Sequence, residues 1–104
     1  MPVVVVAILP VKSDSVEAAR EILTGVIPEV HAEPGCQLYS LHQAGDTFVF
    51  VEQWADQDAI DTHMKAPSLQ SILGGLAEHL SGAPDIKMLE RVPAGDPTKG
   101  TLRP

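Results

Sequence analysis

The sequence predicts an α+β domain in which helices lie on one face of a four-stranded antiparallel sheet. Three observations predict it. Four short runs, at 3–9, 36–43, 48–54 and 85–92, are rich in β-branched, aromatic or alternating apolar residues, as strands are. Two longer segments between them, 14–31 and 56–80, repeat apolar residues at helical spacing. The chain has 104 residues, the size of one ordinary domain.

Taken in order, Val3 to Leu9 is the most apolar stretch, and Pro10 stops it. It is far shorter than the roughly 20 residues that span a bilayer, and no basic residue precedes it as in a signal peptide. Asp14 and Glu17 have the spacing of a capping box. Val16, Ala19, Leu23, Val26, Ile27 and Val30 then form one apolar stripe, with Pro28 expected to kink it. Pro34-Gly35 ends that segment, and Ala44-Gly45-Asp46 is a hairpin turn between the next two strands. On the second of these, Phe48, Phe50, Glu52 and Trp54 share one face, opposite Val49, Val51 and Gln53. Asp56 caps a short helix that Pro67 interrupts, and Ser68 is placed to cap the next, whose stripe is Leu69, Ile72, Leu73, Leu76 and Leu80. Residues 85–92 close the sheet. The order β-α-β-β-(α-α)-β is the ferredoxin-like arrangement. It defines one domain over 1–92, followed by a turn-rich tail or arm at 93–104.

Composition excludes several functions. Seven Lys and Arg stand against fourteen Asp and Glu, a net charge of -7, which argues against nucleic acid or an anionic membrane as partner. A single cysteine forms no internal disulfide, and the expected setting is the reducing cytoplasm. No metal-binding pattern links the four histidines, so no metal is expected. One surplus needs explaining: Val3 to Leu9 does not alternate, and Val49 and Val51 add apolar side chains opposite Phe48 and Phe50. A lone sheet of this type leaves one face in water, so a second copy is expected to cover it. The expectation is a homodimer packed sheet face to sheet face.

Three segments carry a family resemblance: Glu33-Pro34-Gly35-Cys36, Phe50-Val51-Glu52-Gln53-Trp54, and Ala59 with His63 four residues on. Together they resemble the antibiotic biosynthesis monooxygenase (ABM) domain, and within it the small bacterial quinol monooxygenases. The resemblance runs from the first strand to Val92. It implies a dimeric α+β barrel with a small apolar pocket in each subunit, and oxidation of quinols or polyphenols by O2 with no metal, flavin or haem. Many members place a second histidine where this chain has Ser68; if that imidazole is the proton acceptor in relatives, this chain must use another group or do something else.

Oxidation without a cofactor needs a base for a phenolic proton and an apolar enclosure that excludes water. His63 is the first candidate for that base and His42 the second. Trp54 and Glu52 complete the expected catalytic set, Trp54 stacking on a planar ring and Glu52 orienting it. Glu52 is expected either to pair with a cation such as Arg91 or to have a raised pKa, since a bare buried carboxylate is costly. Phe50, Phe48, Tyr39, His42 and Ser68 are the expected substrate contacts. Two rival readings use the same fold: a small-metabolite-binding or stress-response protein without turnover, and an isomerase of a small metabolite.

Overall fold

The computed structural model describes residues 1–103. Its elements are β1 (Val3–Pro10), α1 (Val16–His31), β2 (Cys36–Ala44), β3 (Thr47–Trp54), α2 (Gln57–Met64), α3 (Pro67–Leu76), a 3-10 turn (Ala77–His79) and β4 (Asp85–Glu90). The strands form one sheet in the order β2-β3-β1-β4, with every pairing antiparallel. This is the ferredoxin-like α+β architecture the sequence predicts.

The sheet has a packed face and an open one. Across the ladders, Leu9 meets Phe48, Ala7 meets Phe50, Val5 meets Glu52, and Tyr39 meets Glu52 from the other side. Paired residues share a face, so this set lies together with Trp54 beneath the helices, and all of it is buried. Fully burying aromatic side chains such as Phe48, Phe50 and Trp54 stabilises the fold by about 1.5–3 kcal/mol each, before cavity terms. On the opposite face Val4, Val6, Ile8, Val49 and Val51 are only half-buried. β1 therefore alternates in burial although its sequence does not alternate in character. β4 is an edge strand and exposed throughout.

Local signals were resolved in ways that correct several expectations. Asp14 does not cap α1; Ser15 occupies the cap position, and no side chain caps the helix. The capping box fails because Glu17 is drawn to Arg20, while the Ser15 hydroxyl lies 3.0 Å from His79 Nδ1. α1 continues through Pro28 to His31. Asp56 does cap α2, its Oδ1 accepting from the Ala59 N–H at 2.9 Å. Ser68 does not cap α3: Ala66 holds that position, Pro67 opens the first turn, and Ser68 lies one residue inside. The hairpin turn has Gly45 at φ +60°, a backbone that glycine adopts without strain.

The tail folds back on the domain. Asp96 accepts from the Thr98 hydroxyl and from the N–H groups of Thr98 and Lys99, which pulls its carboxyl below the usual range. The Arg103 carbonyl accepts from Arg91 at 2.9 Å and from the buried Gln53 amide at 3.3 Å. Among the described residues, no helix is long and apolar enough to cross a membrane.

Candidate functional site

Between the sheet and helices α2 and α3 lies a cavity of about 270 Å³. Tyr39, Phe50, Glu52, Trp54 and His63 wall one end of it, and each is buried. Met64, Leu73, Pro84, Ile86 and Met88 rim the other, and each is exposed. Alternation along β3 explains how Phe50, Glu52 and Trp54 reach the same wall. Tyr39 joins them because β2 pairs with β3 in that register. His63 comes from the last turn of α2, where its ring lies 4.5 Å from that of Trp54, tilted by 30°. Tyr39 stacks on Phe50 at 4.4 Å and meets His63 edge-on at 5.8 Å. These aromatic planes give a flat ligand surfaces to stack on.

Two carboxylates serve this wall in different ways. Glu52 Oε1 accepts the Trp54 indole N–H at 2.9 Å. Burial raises the Glu52 pKa above the usual carboxylate value, against the opposing pull of that N–H and of His63. The expected ion pair with Arg91 is not formed, since Arg91 is engaged by the tail. The second carboxylate, Glu33, lies in the turn between α1 and β2. Its Oε1 is 2.8 Å from His63 Nδ1, and its Oε2 accepts from the Ser68 hydroxyl at 2.7 Å. Burial also holds the Tyr39 phenol well above its usual range, with the charges of Glu52 and Glu33 adding to the effect, so it stays neutral. Cys36 is pushed up to about 11, chiefly by burial, and is no thiolate nucleophile at neutral pH.

His63, Trp54, Glu52, Phe50 and Tyr39 are thus brought to one cavity, while three other expected residues are not. His42 projects from the opposite face of the sheet, beside Ser40 at 3.0 Å, because it lies one residue out of step with Tyr39 and Leu41. Phe48 is buried in the core outside the cavity lining, with the Arg20 guanidinium 5.9 Å from its ring centre. Ser68 is buried behind His63 and reaches the site only through Glu33. The residue that sequence reasoning missed is Glu33 itself. Its signal was the Pro34-Gly35 turn that follows: Gly35 has φ +81°, and a Cβ there would come within 2.5 Å of Ala59 Cβ. That approach, open only to glycine, presses the turn against α2 one helical turn before His63.

What can such a wall do? A neutral imidazole can take a proton, a buried carboxyl can hold a ligand oxygen, and the aliphatic remainder keeps water out. Among the described residues, no three His, Cys, Asp or Glu side chains converge as a metal ion would require.

The sequence profile of the antibiotic biosynthesis monooxygenase family matches residues 2–73. The chain belongs to that family. Every residue of the buried wall, and Glu33 and Ser68 behind it, falls within the ABM match. This ABM chain is 32% identical over 68 residues to the Mycobacterium tuberculosis protein named "Putative monooxygenase Rv0793", a match covering 64% of this chain and 67% of that protein. The solved structure of Rv0793 superposes with a TM-score of 0.85 at 26% identity, covering 92% of this chain and 100% of that one. The Synechocystis protein sll1783 is 28% identical over 90 residues, or 84% of this chain, but the match spans only 61% of that protein's length.

Proposed function

We propose that this ABM protein is a monooxygenase of small quinols or related polyphenols that uses O2 and no metal, flavin or haem. One observation carries the reading: a single imidazole, His63, is buried in the wall of an otherwise largely apolar cavity, its ring 4.5 Å from that of Trp54. The chain's resemblance, within the ABM family, to quinol monooxygenases supplies the reaction class. In this reading His63 takes the phenolic proton, and the quinolate anion passes an electron to O2. The radical pair combines at a ring carbon, forming a C–O bond. The O–O bond then breaks as water departs with two of the substrate's hydrogens. The sum is hydroquinone plus O2 giving hydroxyquinone plus water, and the substrate supplies all four electrons. Trp54 and Phe50 pack the ring, and Glu52 orients it through a ligand oxygen.

An isomerase of a phosphorylated metabolite is disfavoured by the cavity lining, which contains no Lys or Arg. The half-buried valines and Ile8 on the opposite sheet face support a homodimer packed through that face. A monomeric mass by light scattering at micromolar concentration would reject the dimer. For the reaction, oxygen uptake is measured with a panel of hydroquinones in the presence of a chelator. Turnover that the chelator leaves unchanged is expected. Uptake equal to buffer across the panel rejects the reading, and quinol binding without uptake would favour a non-catalytic binding protein.

A further inference from the structure

Glu33 is part-buried, belongs to no helix or strand, and touches two helices through its two oxygens. The carboxylate side chain is 12% exposed and the His63 side chain 5%. A carboxylate in that setting is costly unless both oxygens are served, and here Ser68 serves one and the imidazole the other. A carboxylate accepts and does not donate, so the group opposite Oε1 must be Nδ1–H. The hydrogen bond at one imidazole nitrogen fixes the state of the other. Nε2 makes no hydrogen bond to any described residue. Among those residues Gln53 Oε1 is the sole fully buried side-chain polar atom lacking a partner, so Nε2 keeps open surface. His63 lines the cavity, and that is where such surface lies.

We propose that Glu33 is the positioning residue of this site: anchored by Ser68, it holds the proton of the neutral His63 ring on Nδ1 and leaves Nε2 as the acceptor facing the ligand. This rests on the reading of His63 as the base. It also gives Ser68 a task without requiring it to touch substrate. Three elements meet at the carboxylate, the turn after α1, the end of α2 and the first turn of α3. Loss of Glu33 therefore frees the ring to take the Nε2–H form that predominates for histidine in water. In that form the cavity faces a donor where the reaction needs an acceptor.

The test is nitrogen-15 NMR of the imidazoles in the full-length protein at alkaline pH, with the His63 signals assigned by their loss in His63→Gln. Wild type is expected to show the Nδ1–H tautomer. Glu33→Ala is expected to shift His63 toward Nε2–H and to lower kcat by about 10- to 100-fold, with a smaller change in KM. Ser68→Ala should move both readouts the same way by less. A wild-type Nε2–H tautomer overturns the proposal, as does a Glu33→Ala protein whose His63 stays Nδ1–H or whose kcat is unchanged. If Glu33→Ala does not fold, the wild-type spectrum and Ser68→Ala decide. A wild-type Nδ1–H signal with no oxygen uptake from any quinol rejects the monooxygenase reading alone and leaves the tautomer assignment standing.

Discussion

At its closed end the cavity is walled by buried side chains held by hydrogen bonds: Trp54 to Glu52 within the wall, and His63 to Glu33 behind it, with Glu33 bound in turn by Ser68. At its open end the walls are single apolar side chains, with Leu73 and Met88 each 50% exposed and Ile86 46%. The first end holds nearly all the polar atoms a ligand can meet, and hydrogen bonds orient Trp54, Glu52 and His63 there. The second offers only apolar contact and no fixed direction. Chemistry that depends on where a proton sits belongs at the first end. Admission and grip on the apolar part of a ligand belong at the second. Substitutions at the two ends should therefore differ in kind as well as in size.

The largest stability effect is expected at Gly35, which supports the closed end from outside. Gly35→Ala combines a φ of +81° with a Cβ 2.5 Å from Ala59 Cβ, so it should cost about 1–3 kcal/mol in urea unfolding. It should also retract Glu33 and slow turnover. Unchanged stability would show that the turn does not hold the site. A subtler effect follows from Glu52, whose pKa is raised by burial. The neutral carboxyl contributes stability that is complete below the ordinary carboxylate pKa and is lost as pH rises through the folded value. Glu52→Gln cannot ionise, so its melting temperature should vary less with pH over that window. Parallel curves for the two proteins would contradict this. The smallest stability effect belongs to the open end. Ile86→Lys should change stability by no more than about 0.5 kcal/mol, while KM for an apolar quinol rises and kcat holds. A fall in kcat as large as that at the closed end would erase the contrast.

Much of this was legible in the sequence, and the exceptions share a cause. Alternation along β3 placed Phe50, Glu52 and Trp54 on one wall, because a period of two survives any tertiary detail. The same parity set His42 on the far side of the sheet from Tyr39, and following it along β2 excludes His42 from the cavity. Phe48 shares the inward face, yet the cavity reaches that rung of the sheet at its partner Leu9 and not at Phe48, whose ring lies by Arg20 of α1, a difference that alternation does not encode. Glu33 and Ser68 are 35 residues apart, and their contact depends on how a turn meets two helices. Asp14 and Glu17 had the right spacing for a cap, yet Ser15 took the position and Arg20 drew Glu17 away. Local patterns predicted elements and faces; contacts between loops and helices required the fold.

The proposed reaction inserts one oxygen atom of O2 into a quinol at the closed end of the cavity, with His63 starting it. Heavy-isotope O2 tests it directly. Mass spectrometry of the product from wild type should show one labelled oxygen per molecule, the second label appearing in water, and His63→Gln should slow that labelling by about 100-fold or more. An unlabelled quinone with hydrogen peroxide released, or labelling at the same rate in both proteins, would contradict the account.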